Sequence, residues 1–160
     1  MNKGFTLVEL MISITILLVS VMSGTTYFSK FNTRQKLDKN KSEMELMVLQ
    51  AQNYAAVKQM PNGITGSLKY VELSKNVNGF IEAKVNGIGV SYFSNKITDV
   101  DTTITLNPSI LYFWGGTGQL SADSNGRFYS PDQTANIVIS TNVGVAETRT
   151  IIINALGGIK

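Results

Sequence analysis

The chain has 160 residues and a formal net charge of +3, which leaves room for one modest domain beside a membrane segment and excludes a strongly basic nucleic-acid binder. It contains no Cys and no His. That excludes disulfides, thiolate zinc sites, a lipid-modified cysteine and any Ser-His or Cys-His machinery, and no spacing of carboxylates favours a catalytic pair, so neither an enzyme nor a cofactor is expected.

Residues 1–4, MNKG, form a polar leader that meets a long apolar run at Phe5. Residues 10–29 carry no charge, and a helix of that length spans roughly 30 Å, the thickness of a bilayer core. One carboxylate, Glu9, sits in the first turns of this run. An acid within a membrane helix costs about 2.5–3.5 kcal/mol at mid-helix on insertion scales, so it marks a functional contact. A secretory signal cut at Val21-Met22-Ser23 is the first competing reading, but the apolar stretch is too long for it and such a peptide has no use for Glu9. A plain single-pass anchor is the second.

The helical pattern continues past the apolar run. Leu37, Met44, Met47, Val48, Ala51, Tyr54 and Ala55 recur in steps of three, four and seven and form one stripe, while Lys41, Glu45, Gln52 and Asn53 occupy the other face. No Pro precedes Pro61, and only Gly24 loosens the pattern, so one helix is expected from about residue 5 to 57, roughly 80 Å long. The cluster Met60-Pro61-Asn62-Gly63 ends it.

From Ile64 onward the period changes to two. Strands are expected at 67–73, 81–85, 89–93, 102–106, 110–114, 127–129, 137–141 and 148–154, with turns at Asn78-Gly79, Asn86-Gly87, Gly115-Gly116 and Asn125-Gly126. The fold class is therefore α+β. A long N-terminal helix, half transmembrane (5–29) and half amphipathic (30–60), packs on an antiparallel β-sandwich-like head (61–160), because a sheet of this size needs a partner layer.

The run Gly4-Phe5-Thr6-Leu7-Val8-Glu9 resembles the processing site of type IV prepilins and type II secretion pseudopilins. The resemblance implies cleavage between Gly4 and Phe5 by prepilin peptidase, removal of the leader 1–4 and N-methylation of Phe5. It gives Glu9 the task of neutralising the N-terminal amine of a neighbouring subunit during assembly. It also implies the partners: other pilin or pseudopilin subunits, the peptidase, an ATPase-driven inner-membrane assembly platform and membrane lipid. The subunit would sit in the inner membrane with its N-terminus cytoplasmic and its head outside, then enter a pilus or pseudopilus. Lys30, Arg34, Lys36, Lys39 and Lys41, counted against Lys3, point to the opposite orientation.

Thr103-Ile104-Thr105-Leu106-Asn107-Pro108, the turn Gly115-Gly116-Thr117-Gly118 and the ending Arg149 to Lys160 resemble the H-type minor pseudopilins of type II secretion and the FimT-type minor pilins. The FimT-type proteins implicated in DNA uptake resemble one another in a basic Gly-Arg-x-Arg. Here the corresponding run is Gly157-Gly158-Ile159-Lys160, which lacks the Arg forks that hold phosphate. A structural, minor subunit is thus the first reading. A pilus-tip module binding DNA or a surface is the alternative, with Arg127, Arg149 and Lys160 as its DNA contacts.

Two further patterns have structural explanations. Ser121, Asp123, Asn125 and Asp132 loosely follow a calcium loop, but Ser stands where Asp should lead and Asp where Glu should close, and a hairpin turn accounts for the same residues. No metal is expected. Tyr92, Phe93, Tyr112, Phe113, Trp114, Phe128 and Tyr129, near Arg127, could stack bases, but adjacent aromatics on a strand place one ring in the core and one outside, and interleaved basic residues are sparse.

Overall fold

The computed structural model describes residues 6–88, 90–97, 101–142 and 146–160. One helix, α1 (Leu7–Ala56), precedes eight strands: β1 (Tyr70–Lys75), β2 (Phe80–Val85), β3 (Ser91–Lys96), β4 (Thr102–Asn107), β5 (Ile110–Trp114), β6 (Leu120–Ser121), β7 (Thr134–Thr141) and β8 (Thr148–Asn154). The fold is α+β. The chain divides into two compact units, one ending at Gln35 and the other running Lys36–Lys160.

In the first unit the helix is apolar on every side, and Leu7, Met11, Leu17, Met22 and Phe28 are all exposed. Its few hydroxyls donate back along the helix. Ser13 Oγ reaches Glu9 O at 2.8 Å, Thr15 Oγ1 reaches Met11 O at 2.8 Å, and Ser20 and Ser23 bond Ile16 O and Val19 O in the same manner. A hydroxyl satisfied by its own backbone loses little in hydrocarbon, so these residues leave the segment compatible with a bilayer.

The second unit begins with the rest of α1. Leu37, Met44, Val48, Ala51 and Ala55 are fully buried and Met47 nearly so, as the stripe requires, while Tyr54 is only partly covered. Asn40 is also buried, and its amide nitrogen lies 3.2 Å from Thr102 Oγ1 on β4. Gln52 departs from its expected place on the outer face. The turns 115–118 and 155–158 close over it, and its amide donates to Leu156 O at 3.4 Å. The helix ends in a Schellman turn: Gln59 N bonds Tyr54 O and Lys58 N bonds Ala55 O, with Lys58 at φ 52° in the position glycine usually takes.

Two antiparallel sheets complete this unit, of order β3-β2-β1-β5-β6 and β4-β7-β8. Alternation sets their inward faces. Val71 faces Val85 and Phe113 across the first sheet, and Leu73 faces Ala83 and Leu111. In the second, Leu106 faces Ile137, which faces Ile151. These residues and the helix stripe form one hydrophobic core.

Two differences from the expected strands have local causes. The segment 127–129 forms only an isolated bridge, Phe128 with Ser121, because the chain around it is organised by a tight turn rather than by a ladder. Its partner β6 has two residues, too few to show any period. The expected strand at 89–93 is shifted to Ser91–Lys96, and Gly89 lies outside the described residues.

Candidate functional site

The first four N–H groups of a helix have no acceptor within it. At the start of α1 that need is met by Thr6 and Glu9. Glu9 N donates to Thr6 Oγ1 at 3.2 Å, while Glu9 Oε2 accepts from Thr6 N at 2.9 Å and from Thr6 Oγ1 at 2.8 Å. This is a capping box, Thr at the N-cap and Glu three residues later. The sequence carries the signal for this box, T-x-x-E, within a run whose apolar character makes the charge of Glu9 its more prominent feature. Both residues are exposed, so the carboxylate is held in a defined place and remains open to a second partner. Gly4 and Phe5 lie outside the described residues.

The three basic residues named as DNA contacts do not converge. Arg149 is directed at the helix: its Nε lies 2.7 Å from Asp38 Oδ1 and its Nη1 3.8 Å from Glu147 Oε2. Its guanidinium is occupied by carboxylates before any phosphate arrives. Lys160 and Phe128, the neighbour of Arg127, line one cleft of about 390 Å³ together with Tyr129, Pro131 and Leu156. Of the three candidate contacts only Lys160 lines that cleft, and one ammonium is insufficient for strong phosphate binding.

Of the calcium-like residues Ser121, Asp123 and Asn125 form one turn, and Asp132 lies in another. Asp123 Oδ1 accepts the backbone N–H groups of Asn125 at 2.9 Å and Arg127 at 3.1 Å, and Ser121 Oγ lies 2.7 Å from Asp123 O and 3.0 Å from Arg127 O. The N–H of Arg127 is the first cause holding the Asp123 carboxyl below its ordinary value. Among the described residues no group of three or more His, Cys, Asp or Glu is placed to hold a metal ion.

The aromatic residues are likewise engaged with one another. Phe113 is fully buried. Tyr92 stacks on Tyr54 at 4.4 Å and 6°, and its hydroxyl donates to Gln59 O. Tyr70 meets Tyr112 edge to face at 5.3 Å, and Trp114 meets Phe128 edge to face at 5.9 Å. Tyr70 also stacks on Trp114 at 6.4 Å, so these rings cover one another rather than standing as an open row on which successive bases could stack.

A family model described as the prokaryotic N-terminal methylation motif matches residues 1–25. That motif indicates a type IV pilin-like or pseudopilin-like precursor, which points to a structural subunit that assembles with other pilin-like chains. The helix it opens is long and apolar enough to cross a membrane. Neither the curated proteins nor the solved structures gave a significant match to the chain.

Proposed function

We propose that this chain is a minor structural subunit of a type II secretion pseudopilus or a type IV pilus, matured by cleavage between Gly4 and Phe5 and by methylation of Phe5. The observation that carries this reading is the methylation motif over residues 1–25 opening a helix whose exposed N-terminal part is apolar all round. Such a surface is at home in lipid before assembly and against neighbouring helices after it.

Glu9 is the assembly residue in this reading. In the single chain its carboxylate is held by Thr6, a neutral donor. The amine of a neighbouring subunit's Phe5 would bring a cation to the same oxygen, and a charge-assisted hydrogen bond is roughly twice as strong as a neutral one. Pairing the two charges also removes the penalty each carries alone in hydrocarbon. The motif and the apolar helix support inner-membrane insertion, and it is the resemblance to pilin precursors that favours the head outside.

Intact mass and N-terminal analysis of the native protein, compared between membranes and sheared filaments, tests the proposal. The expected result is a chain that begins at methylated Phe5 in both fractions. A mature chain beginning at Gly24 would overturn it in favour of a secreted protein, and a processed chain absent from filaments would overturn the structural role.

A further inference from the structure

Four Asn-Gly pairs stand in the head: Asn62-Gly63, Asn78-Gly79, Asn86-Gly87 and Asn125-Gly126. A glycine after an asparagine leaves the backbone open to self-reaction, because no Cβ shields the glycine nitrogen from the neighbouring side-chain amide. Two things are needed. The glycine N–H must be able to give up its proton, and the asparagine side chain must be able to swing onto that nitrogen.

At three of the pairs the fold withholds one of these. The N–H of Gly79 donates to Asn76 O at 3.0 Å in the turn before β2. Asn86 is fixed by its side chain, whose Oδ1 accepts from the N–H groups of Lys69 at 2.7 Å and Tyr70 at 3.2 Å while Nδ2 donates to Ser67 O at 3.0 Å. The N–H of Gly126 is one of the backbone donors to the Asp123 carboxylate, whose negative charge also opposes loss of that proton.

Asn62-Gly63 carries neither restraint. Both residues are exposed, in a turn closed by one bond from Ile64 N to Pro61 O at 3.2 Å. A bond from the fourth residue of a turn to the first leaves the central amide, here the N–H of Gly63, outside the turn's own hydrogen bonding. Among the described residues nothing bonds that N–H or the Asn62 side chain. The space about Gly63 is empty as well, since a Cβ there would meet nothing within 4 Å.

From this geometry we infer that Asn62 is a site of spontaneous deamidation, the one of the four pairs that the fold leaves reactive. The Gly63 nitrogen attacks Cγ of Asn62, a new C–N bond forms, and the bond from Cγ to Nδ2 breaks. Nδ2 departs with the proton from Gly63 as ammonia. Water then opens the cyclic imide at either carbonyl, its hydroxyl going to carbon and its proton to nitrogen, which leaves aspartate or isoaspartate at position 62. The product lowers the net charge of +3 by one. In the isoaspartate form a methylene enters the main chain between α1 and β1, while the nearest buried apolar residues on either side, Ala55 and Leu68, lie outside the turn.

The test ages the full-length protein for days in dodecyl maltoside at mildly alkaline pH, with a parallel sample unfolded in urea. Peptide mass spectrometry follows conversion of amide to carboxyl at each of the four pairs, and ammonia release gives the total. In the folded protein Asn62 should convert several-fold faster than Asn78, Asn86 or Asn125. In urea the four rates should converge, because a glycine follows each asparagine once the turns are gone. Asn62→Ala should remove the first acidic isoform seen on isoelectric focusing. An intact Asn62 beside a converted Asn78, Asn86 or Asn125 would overturn the inference. So would the same spread of rates in urea as in the folded protein, since the fold would then select nothing, and so would persistence of the early acidic isoform in Asn62→Ala.

Discussion

Asp38 on the helix and Arg149 on the last strand, 111 positions apart, meet at 2.7 Å through Oδ1 and Nε. The contact joins α1 to the three-stranded sheet at the end opposite in sequence to the core stripe's tail, and it turns a residue that the sequence offers as a phosphate contact into an internal tie. Asp38 is 62% exposed, so solvent screens the pair and its worth is small. Arg149→Ala should lower the stability of the folded head by about 0.5–1 kcal/mol in urea denaturation. Asp38→Ala should cost a similar amount, and the double variant should cost less than the sum. Strict additivity of the two losses would show that the ion pair contributes nothing.

Glu9 carries the assembly proposal. Glu9→Gln should allow membrane insertion and cleavage, because the amide lowers the insertion cost and can still cap the helix from the N3 position. It should nevertheless reduce the subunit's share in sheared filaments several-fold, since no charge remains to meet the neighbouring amine. Quantitative immunoblots of membrane and filament fractions measure this directly. Wild-type amounts of Glu9→Gln in filaments would make the carboxylate a cap and nothing more.

Much of this architecture is visible in the sequence where a period is long enough to read. The stripe from Leu37 to Ala55 identifies the buried face of the helix because it repeats over several turns, and the alternation around Leu111 and Phe113 identifies the inward face of β5. Gln52 escapes that reasoning. Its partial cover depends on two turns, 115–118 and 155–158, that reach the helix from far along the chain, and no helical period encodes their arrival. The choice of partner by Lys84 is hidden for a similar reason: β pairing places Glu72 opposite it, but its ammonium lies 2.9 Å from Glu82 Oε2, which only side-chain geometry decides. Thr6, by contrast, was legible through its spacing from Glu9.

The aromatic cluster separates cleanly under mutation if the core assignment is right. Phe113 is fully buried in the core to which the helix stripe and both sheets contribute. Phe113→Ala should cost about 3–5 kcal/mol and Phe113→Leu about 1 kcal/mol, because the first leaves a cavity and the second mostly refills it. Phe128 is 45% exposed, and Phe128→Ala should cost far less. Equal losses at the two positions, read from urea midpoints, would contradict the placement of the core.

Acid stability should depend in part on Asp123. The backbone N–H of Arg127, with smaller help from Asn125, favours its carboxylate and holds its pKa below the ordinary 3.8. A group whose folded pKa is depressed contributes stability above its unfolded value and loses that contribution as pH falls through the folded one. Asp123→Asn keeps an acceptor for the turn but cannot titrate. The difference in urea midpoint between wild type and Asp123→Asn should therefore be constant from neutral pH down to about 5 and narrow below 3.8. A difference that widens on acidification would show that the carboxyl is better accommodated when protonated.

A fragment beginning near Thr33 should fold as a monomer without reductant or metal. It retains the buried stripe of α1 and both sheets and omits the apolar residues exposed upstream. Asp123 uses an oxygen on backbone N–H groups rather than keeping it for a cation, so EDTA should leave the thermal midpoint unchanged. Its DNA binding should be weak, indifferent to sequence and steeply reduced by salt, because Arg149 is engaged with Asp38 and only Arg127 and Lys160 remain of the candidate contacts. Fluorescence anisotropy with a labelled duplex at two salt concentrations decides the matter. Tight, salt-resistant binding that disappears in Arg127→Ala or Lys160→Ala would make the head a DNA receptor, and unfolding on addition of EDTA would make the turn from Ser121 to Asp132 a metal site.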